Sequence, residues 1–272
     1  MQRLSNAQVA CWAGLLVANI LCSNAHCGEM LYGVKDVGGL LVVRSLDLSN
    51  STVQQRGALA HAGTERVSAI FQGPDRSINV VRISTKRDVG HRTLIHRIGV
   101  PEMITDATSR LLTGLDATQS VSGLFIPNSG PAIALVAHYT DTPPFSFATL
   151  DLQSWKASAL HSPGLNPTVR YGHLTKCPDG SMYASTRKIE QNVHLVRIRL
   201  DEATTHQVVE LTLYGRALRN DVSDLACAPS GELYALADPQ YAGTNSVFAV
   251  NLATGVLTPV QAFDVERMVF IR

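Results

Sequence analysis

The chain has little of what would mark it as other than an ordinary globular protein. Surplus charge is the first absence: 23 lysines and arginines face 22 aspartates and glutamates, a formal charge of +1 that falls to zero if the segment holding Arg3 is removed. Such a balance gives no overall field to attract nucleic acid or anionic lipid, and neither is expected as a partner. Aromatic residues make up 6% of the 272 positions, and Trp155 is the only tryptophan after Trp12, so surfaces for stacking sugars are scarce. Five cysteines are too few for a disulfide framework in a chain of this length. No window past residue 27 keeps a helical apolar period over ten or more residues. His91 and His96 are five apart, which puts them on opposite faces of a strand, and Cys-x-x-Cys, His-x-His and His-Glu-x-x-His spacings are missing. Neither a metal nor another cofactor is therefore expected. A Gly-rich phosphate loop and a Gly-x-Ser-x-Gly elbow are missing too.

Only one apolar run stands out, over residues 10–22, preceded by Arg3 and followed by a short polar stretch ending in small residues. A membrane helix needs roughly 20 apolar residues. This run is shorter and contains Asn19, so residues 1–27 read as a cleaved signal peptide, with cleavage after Ala25 or after Cys27 both fitting the small-x-small rule. The expected location is secreted or periplasmic, with no transmembrane segment after cleavage. A lipid anchor on Cys22 or Cys27 lacks the small apolar stretch that should precede it. Cys177 and Cys227 remain in either case. Export permits a bridge between them, and two small buried residues on strands is an equally good reading.

What is present is a repeat. Four short apolar stretches separated by turns recur about every 50 residues. The first stretch reads Val67-Ser68-Ala69-Ile70, Val121-Ser122-Gly123-Leu124 and Val222-Ser223-Asp224-Leu225, with Tyr171-Gly172-His173-Leu174 as a looser copy. A turn such as Pro178-Asp179-Gly180 or Pro229-Ser230-Gly231 follows. The second is aliphatic-tyrosine-small, in Leu31-Tyr32-Gly33, Met182-Tyr183-Ala184 and Leu233-Tyr234-Ala235. The third ends Leu46-Asp47-Leu48, Ile98-Gly99-Val100, Leu150-Asp151-Leu152, Ile198-Arg199-Leu200 and Val250-Asn251-Leu252, whose last residues are 52, 52, 48 and 52 positions apart. The stretches are short, β-branched and partly alternating, so they predict strands. Four antiparallel strands repeated radially make a β-propeller. The first unit lacks its valine-serine stretch, and residues 265–270 supply one. The expectation is an all-β, five-bladed propeller over residues 28–272, closed by the C-terminal strand joining the N-terminal blade, with six blades or an open array as alternatives.

The phrases Gly231-Glu232-Leu233-Tyr234-Ala235 and Val250-Asn251-Leu252-Ala253-Thr254-Gly255 resemble the strand-marking motifs of secreted bacterial propellers of the broad NHL and YVTN type. The resemblance implies a fold and carries no activity.

Function then has to be sought where a propeller places polar groups, around its axis. The third position of the first stretch reads Ala69, Gly123, His173, Asp224 and, in the closing strand, Arg267. Glu266, Asp264, Asp221, Arg170 and Glu65 stand nearby, at the starts of inner strands. The candidate ligand-binding set is His173, Asp224, Arg267, Glu266, Asp221 and Glu65. Arginine would bind a carboxylate or hydroxyl, and Asp224 with His173 would orient it or move protons. The same residues read equally as an ion-paired network tethering the closing strand. The loops over residues 140–145 and 238–245 should share the mouth of the inner-strand starts, as recognition elements or as ordinary turns of variable length. Carboxylates near the axis also resemble those of five-bladed glycoside hydrolases, which implies a separate acid and base flanking the scissile bond. Asp224, Glu266, Asp116 and Glu65 would be the candidates. The expected function is a monomeric binding or scaffold module that recognises a small polar ligand or a partner protein at one mouth, with a hydrolase as the alternative and no catalytic residue assigned.

Overall fold

The computed structural model describes residues 29–271 except 62–64, 87–89, 101–102, 128–129, 139–141, 161–164, 188–191 and 201–203, so the predicted leader lies outside the described residues. Each repeat forms an antiparallel sheet. Blade 1 contains β1 (Met30–Val37), β2 (Leu40–Asp47) and β3 (Thr52–Ala60). Blade 2 contains β4 (Arg66–Gln72), β5 (Ile78–Lys86), β6 (Gly90–Val100) and β7 (Met103–Leu111), and blade 3 contains β8 (Gln119–Phe125), β9 (Ala132–His138), β10 (Thr142–Asp151) and β11 (Lys156–Ala159). Blade 4 contains β12 (Arg170–Lys176), β13 (Met182–Arg187), β14 (His194–Arg199) and β15 (Thr204–Glu210). A small hairpin, β16 (Thr212–Leu213) and β17 (Arg216–Ala217), leads to blade 5, with β18 (Val222–Cys227), β19 (Leu233–Ala237), β20 (Ser246–Val250) and β21 (Leu257–Ala262). The last strand, β22 (Arg267–Phe270), pairs with β1, giving the order β22-β1-β2-β3. This is a five-bladed propeller, closed as the repeat count requires.

Five apolar clusters fill the five wedges between neighbouring blades. The inner two strands of a blade are buried on both faces, which explains their continuous apolar runs. In β19 all five residues are buried, with Leu233, Ala235 and Ala237 facing blade 4 and Tyr234 and Leu236 facing blade 1. Fully burying a leucine such as Leu233 or Leu236 stabilises by roughly 1.5–3 kcal/mol. The small residue after the tyrosine is a packing requirement. A Cβ on Gly33 would lie 2.7 Å from a Val265 methyl and 2.9 Å from the Arg267 carbonyl, so blade 1 admits β22 only because that position is empty.

Two further devices recur. The inner strands of blades 2 to 5 each slip by one residue against their neighbour, between Val67 and Ala69, Val121 and Gly123, Gly172 and Thr175, and Val222 and Asp224. The extra residue of the valine-serine motif is thus a β-bulge that turns backbone groups out of the ladder. At the perimeter, the chain leaving one blade pairs with an outer turn of the next: Thr113 N–H donates to Trp155 O at 2.9 Å, and Thr212 N–H to Gly255 O at 2.9 Å.

Candidate functional site

The bulges decide what happens at the axis, because a freed carbonyl needs a donor. Arg267 supplies several. Its Nε donates to Ser68 O at 2.6 Å, and its Nη1 donates to Ser223 O at 3.0 Å and Glu266 O at 2.7 Å. Ser68 and Ser223 are the bulge residues of blades 2 and 5, so one guanidinium on the closing strand ties both flanking blades. Asp224 adds a second tie. Its Oδ2 accepts from Met268 N at 2.7 Å, and its Oδ1 accepts from Leu225 N at 2.9 Å and lies 3.7 Å from His173 Nδ1. His173, at φ 56°, occupies the slipped segment of blade 4. The structure therefore brings His173, Asp224 and Arg267 together at one level. The repeated serine before the axis position is the bulge residue in blades 2, 3 and 5, but residue type alone does not give a register.

The other three residues of the set lie elsewhere. Glu266 is half-buried beside Arg267, and burial raises its pKa against the pull of that cation. Asp221 pairs with Arg170 at 2.7 Å and Arg187 at 3.4 Å, between blades 4 and 5. Glu65 pairs at 3.0 Å with Arg82, whose side chain is 1% exposed and which also meets Asp36 at 3.0 Å, between blades 1 and 2. Asp264 is held by Lys35 at 2.6 Å and Arg44 at 3.1 Å. The mouth at the inner-strand starts is thus lined by ion pairs. The loop after β19 lies at this mouth as expected, with Asn220 Nδ2 donating to Asp238 O at 2.6 Å, whereas part of the 140–145 loop falls outside the described residues.

The open space is at the other end. A cavity of about 400 Å³ runs from the level of Ala69 and Asp224 toward the inner-strand ends, where Pro74, Pro127 and Pro178 open the turns of the rim. Thr175, Lys176 and Gln72 stand in its wall beside apolar residues such as Phe71, Leu124 and Met268. Cys177 and Cys227 form a disulfide at this rim, with Cα atoms 5.1 Å apart, joining the inner strands of blades 4 and 5. These wall residues lie beyond the axis positions of the inner strands, and in the sequence the repeated proline after the strand marks their mouth.

No family model and no curated protein matches the chain. Among solved structures it is similar to TolB from Acinetobacter baumannii, with 9% identity and a TM-score of 0.52 over 99% of this chain and 74% of that one. It is also similar to a thermostable family-43 glycoside hydrolase, with 10% identity and a TM-score of 0.51 over 87% and 95% of the two chains. A third likeness is to an exo-beta-1,3-galactanase from Phanerochaete chrysosporium determined with galactose, with 10% identity and a TM-score of 0.51 over 86% of this chain and 64% of that one. At such identities the likeness shows the propeller fold alone.

Two buried groups give the fold opposing pH dependences. Burial pushes Asp224 up to about 7, with Arg267 and the Met268 and Leu225 amides acting against it. An unfolded aspartate titrates near 3.8, so the native state holds this proton more tightly. The resulting stabilisation is complete below pH 3.8 and is lost as pH rises through about 7. Glu266 acts in the same direction. Burial and the nearby Arg82 and His61 charges push His96 down to about 4 from 6.5. Its contribution is present above 6.5 and is lost as pH falls toward 4. Between pH 4.5 and 6.5 the two slopes offset each other, and urea midpoints of the wild type should change little. A His96→Gln variant should expose the acidic groups' slope, losing up to about 1.4 kcal/mol per pH unit as pH rises. A flat profile in that variant would show that Asp224 titrates normally.

Proposed function

We propose that the chain is an exported, monomeric five-bladed propeller that binds a small polar ligand in the axial cavity, entering at the mouth of the inner-strand ends. The observation that carries this reading is the cavity itself, about 400 Å³ with Asp224 at its inner end. That volume lies in the usual range for ligand pockets, roughly 300–1,000 Å³. Lys176 at the wall and Asp224 at the end give it two polar anchors of different character, and His173 backs Asp224 at 3.7 Å. The acid inventory supports binding over hydrolysis. A glycosidase needs a pair of carboxyl groups roughly 5–10 Å apart flanking the bond, and Asp224 is the one carboxylate among the described residues of the wall. Export is supported by the Cys177–Cys227 bridge, which is at home in an oxidising compartment.

The test is a thermal-shift screen of the full chain against sugars, organic acids, metal ions and short peptides, with Asp224→Asn and Lys176→Ala in parallel. A ligand present at 100 times its dissociation constant adds about 2.7 kcal/mol. The expected result is a ligand that raises the melting temperature of the wild type and not of the variants. A panel that moves none of the three proteins, or a ligand that shifts all three alike, overturns the assignment of this cavity.

A further inference from the structure

One outer turn departs from its counterparts in the bulk of its last residue. The turns after β2, β10 and β20 share their chemistry, with the first side chain accepting from the amide two residues on: Ser49 N to Asp47 at 2.9 Å, Gln153 N to Asp151 at 2.8 Å and Ala253 N to Asn251 at 3.0 Å. Each also puts its last residue in the left-handed region, Ser51 at φ 58°, Trp155 at 55° and Gly255 at 73°. Glycine adopts that conformation freely, and a bulky side chain does so only where its surroundings hold it there. Blade 3 thus places the only tryptophan beyond residue 12 at a position that disfavours it.

What the tryptophan gains there is a place in a second cavity, at the perimeter between blades 2 and 3. Arg97 of β6 stands opposite Thr108 of β7, and Ile95 opposite Arg110, so all four side chains share the face turned toward blade 3. With Gln153 and Trp155 they bound about 260 Å³. Arg110 lies 5.7 Å over the indole centroid. Arg97 is fixed by Asp75, which accepts from its Nε at 3.2 Å and its Nη2 at 2.6 Å. Among the described wall residues none is a carboxylate.

We propose that this cavity binds a carboxylated sugar ring, a uronate presented on an oligosaccharide. The indole offers an apolar surface for the C–H face of a pyranose. The Arg110 guanidinium suits a carboxylate, which it recognises by paired hydrogen bonds, and Arg97, held by Asp75, lines the same cavity. Thr108 and Gln153 supply partners for hydroxyls. The volume is below that of a typical drug-sized pocket, so it suits one ring, with the rest of the chain in solvent. This site stands on different residues from the axial cavity, and its failure would leave the axial reading untouched.

In a Trp12→Phe form of the full chain, tryptophan emission comes from Trp155 alone. Titration with oligogalacturonate should change that emission saturably, and a neutral oligosaccharide of equal length should bind at least about tenfold more weakly, as should oligogalacturonate to an Arg110→Gln variant, a difference of about 1.4 kcal/mol. Trp155→Gly restores the residue used in blade 5. It should keep or raise the melting temperature while removing the heat of oligogalacturonate binding, which separates lost binding from lost folding. The proposal is overturned by no saturable change at millimolar sugar, by an equal response to neutral sugar or inorganic sulfate, or by unchanged affinity in Arg110→Gln.

Discussion

An Arg267→Met variant should lose about 3 kcal/mol of folding stability, as expected when one member of a partly buried charged network is removed. The substitution keeps much of the side chain's length and apolar stem. It strips donors from Ser68 O, Ser223 O and Glu266 O and removes the cation that opposes burial of Asp224. Arg267→Lys should recover little of this. One ammonium cannot reproduce a fork that serves carbonyls on both flanking blades. Urea denaturation at pH 7 reads the result directly, through a lower midpoint with an unchanged slope. If Arg267 were instead a ligand-binding residue with no part in closure, the methionine variant would keep its midpoint and lose only binding.

Removing the Cys177–Cys227 bridge should have a similar or larger effect. The bond closes a loop of 50 positions, for which the chain-entropy relation gives about 4 kcal/mol at 25 °C. For a chain of this size each kcal/mol moves the melting temperature by roughly 2–4 °C. A Cys177→Ala/Cys227→Ala variant should therefore melt about 10 °C below the oxidised protein, measured by scanning calorimetry. The same variant should no longer respond to reductant, whereas the wild type should converge on it. A drop under about 3 °C would mean that residual apolar contacts among the residues of blades 4 and 5 already restrain the unfolded chain, leaving the bridge little to add.

The fold was legible because its determinants repeat. The triplets ending in Leu48, Val100, Leu152, Leu200 and Leu252 set the period, and residues 265–270 completed the first blade because β22 carries the same pattern as the other inner strands. The axis column was legible for the same reason, and it did bring His173, Asp224 and Arg267 to one level. What the column could not convey was the hydrogen bonding made by the backbone. That Arg267 would be directed at carbonyls follows from the bulges at Ser68 and Ser223, a register property invisible to residue type alone. Asp221 and Glu65 stand near strand starts as read, but their chemistry depends on Arg187 and Arg82, which come from second strands and meet them only in three dimensions. The bridge was undecidable for a related reason. Fifty positions is one repeat, so Cys177 and Cys227 fall on adjacent inner strands, yet adjacency does not by itself bring Cα atoms to 5.1 Å.

The closing strand also orders events in time. Lys35 and Asp264, 229 positions apart, meet in the same blade, and β1 receives β22 last of all its partners. Blades 2 to 5 are each local in sequence and can form as the chain lengthens, whereas blade 1 has to wait for residues 267–270 with its inner edge unpaired. Contacts of such long sequence separation are slow to form, and an unpaired strand edge invites pairing with another chain in the interval.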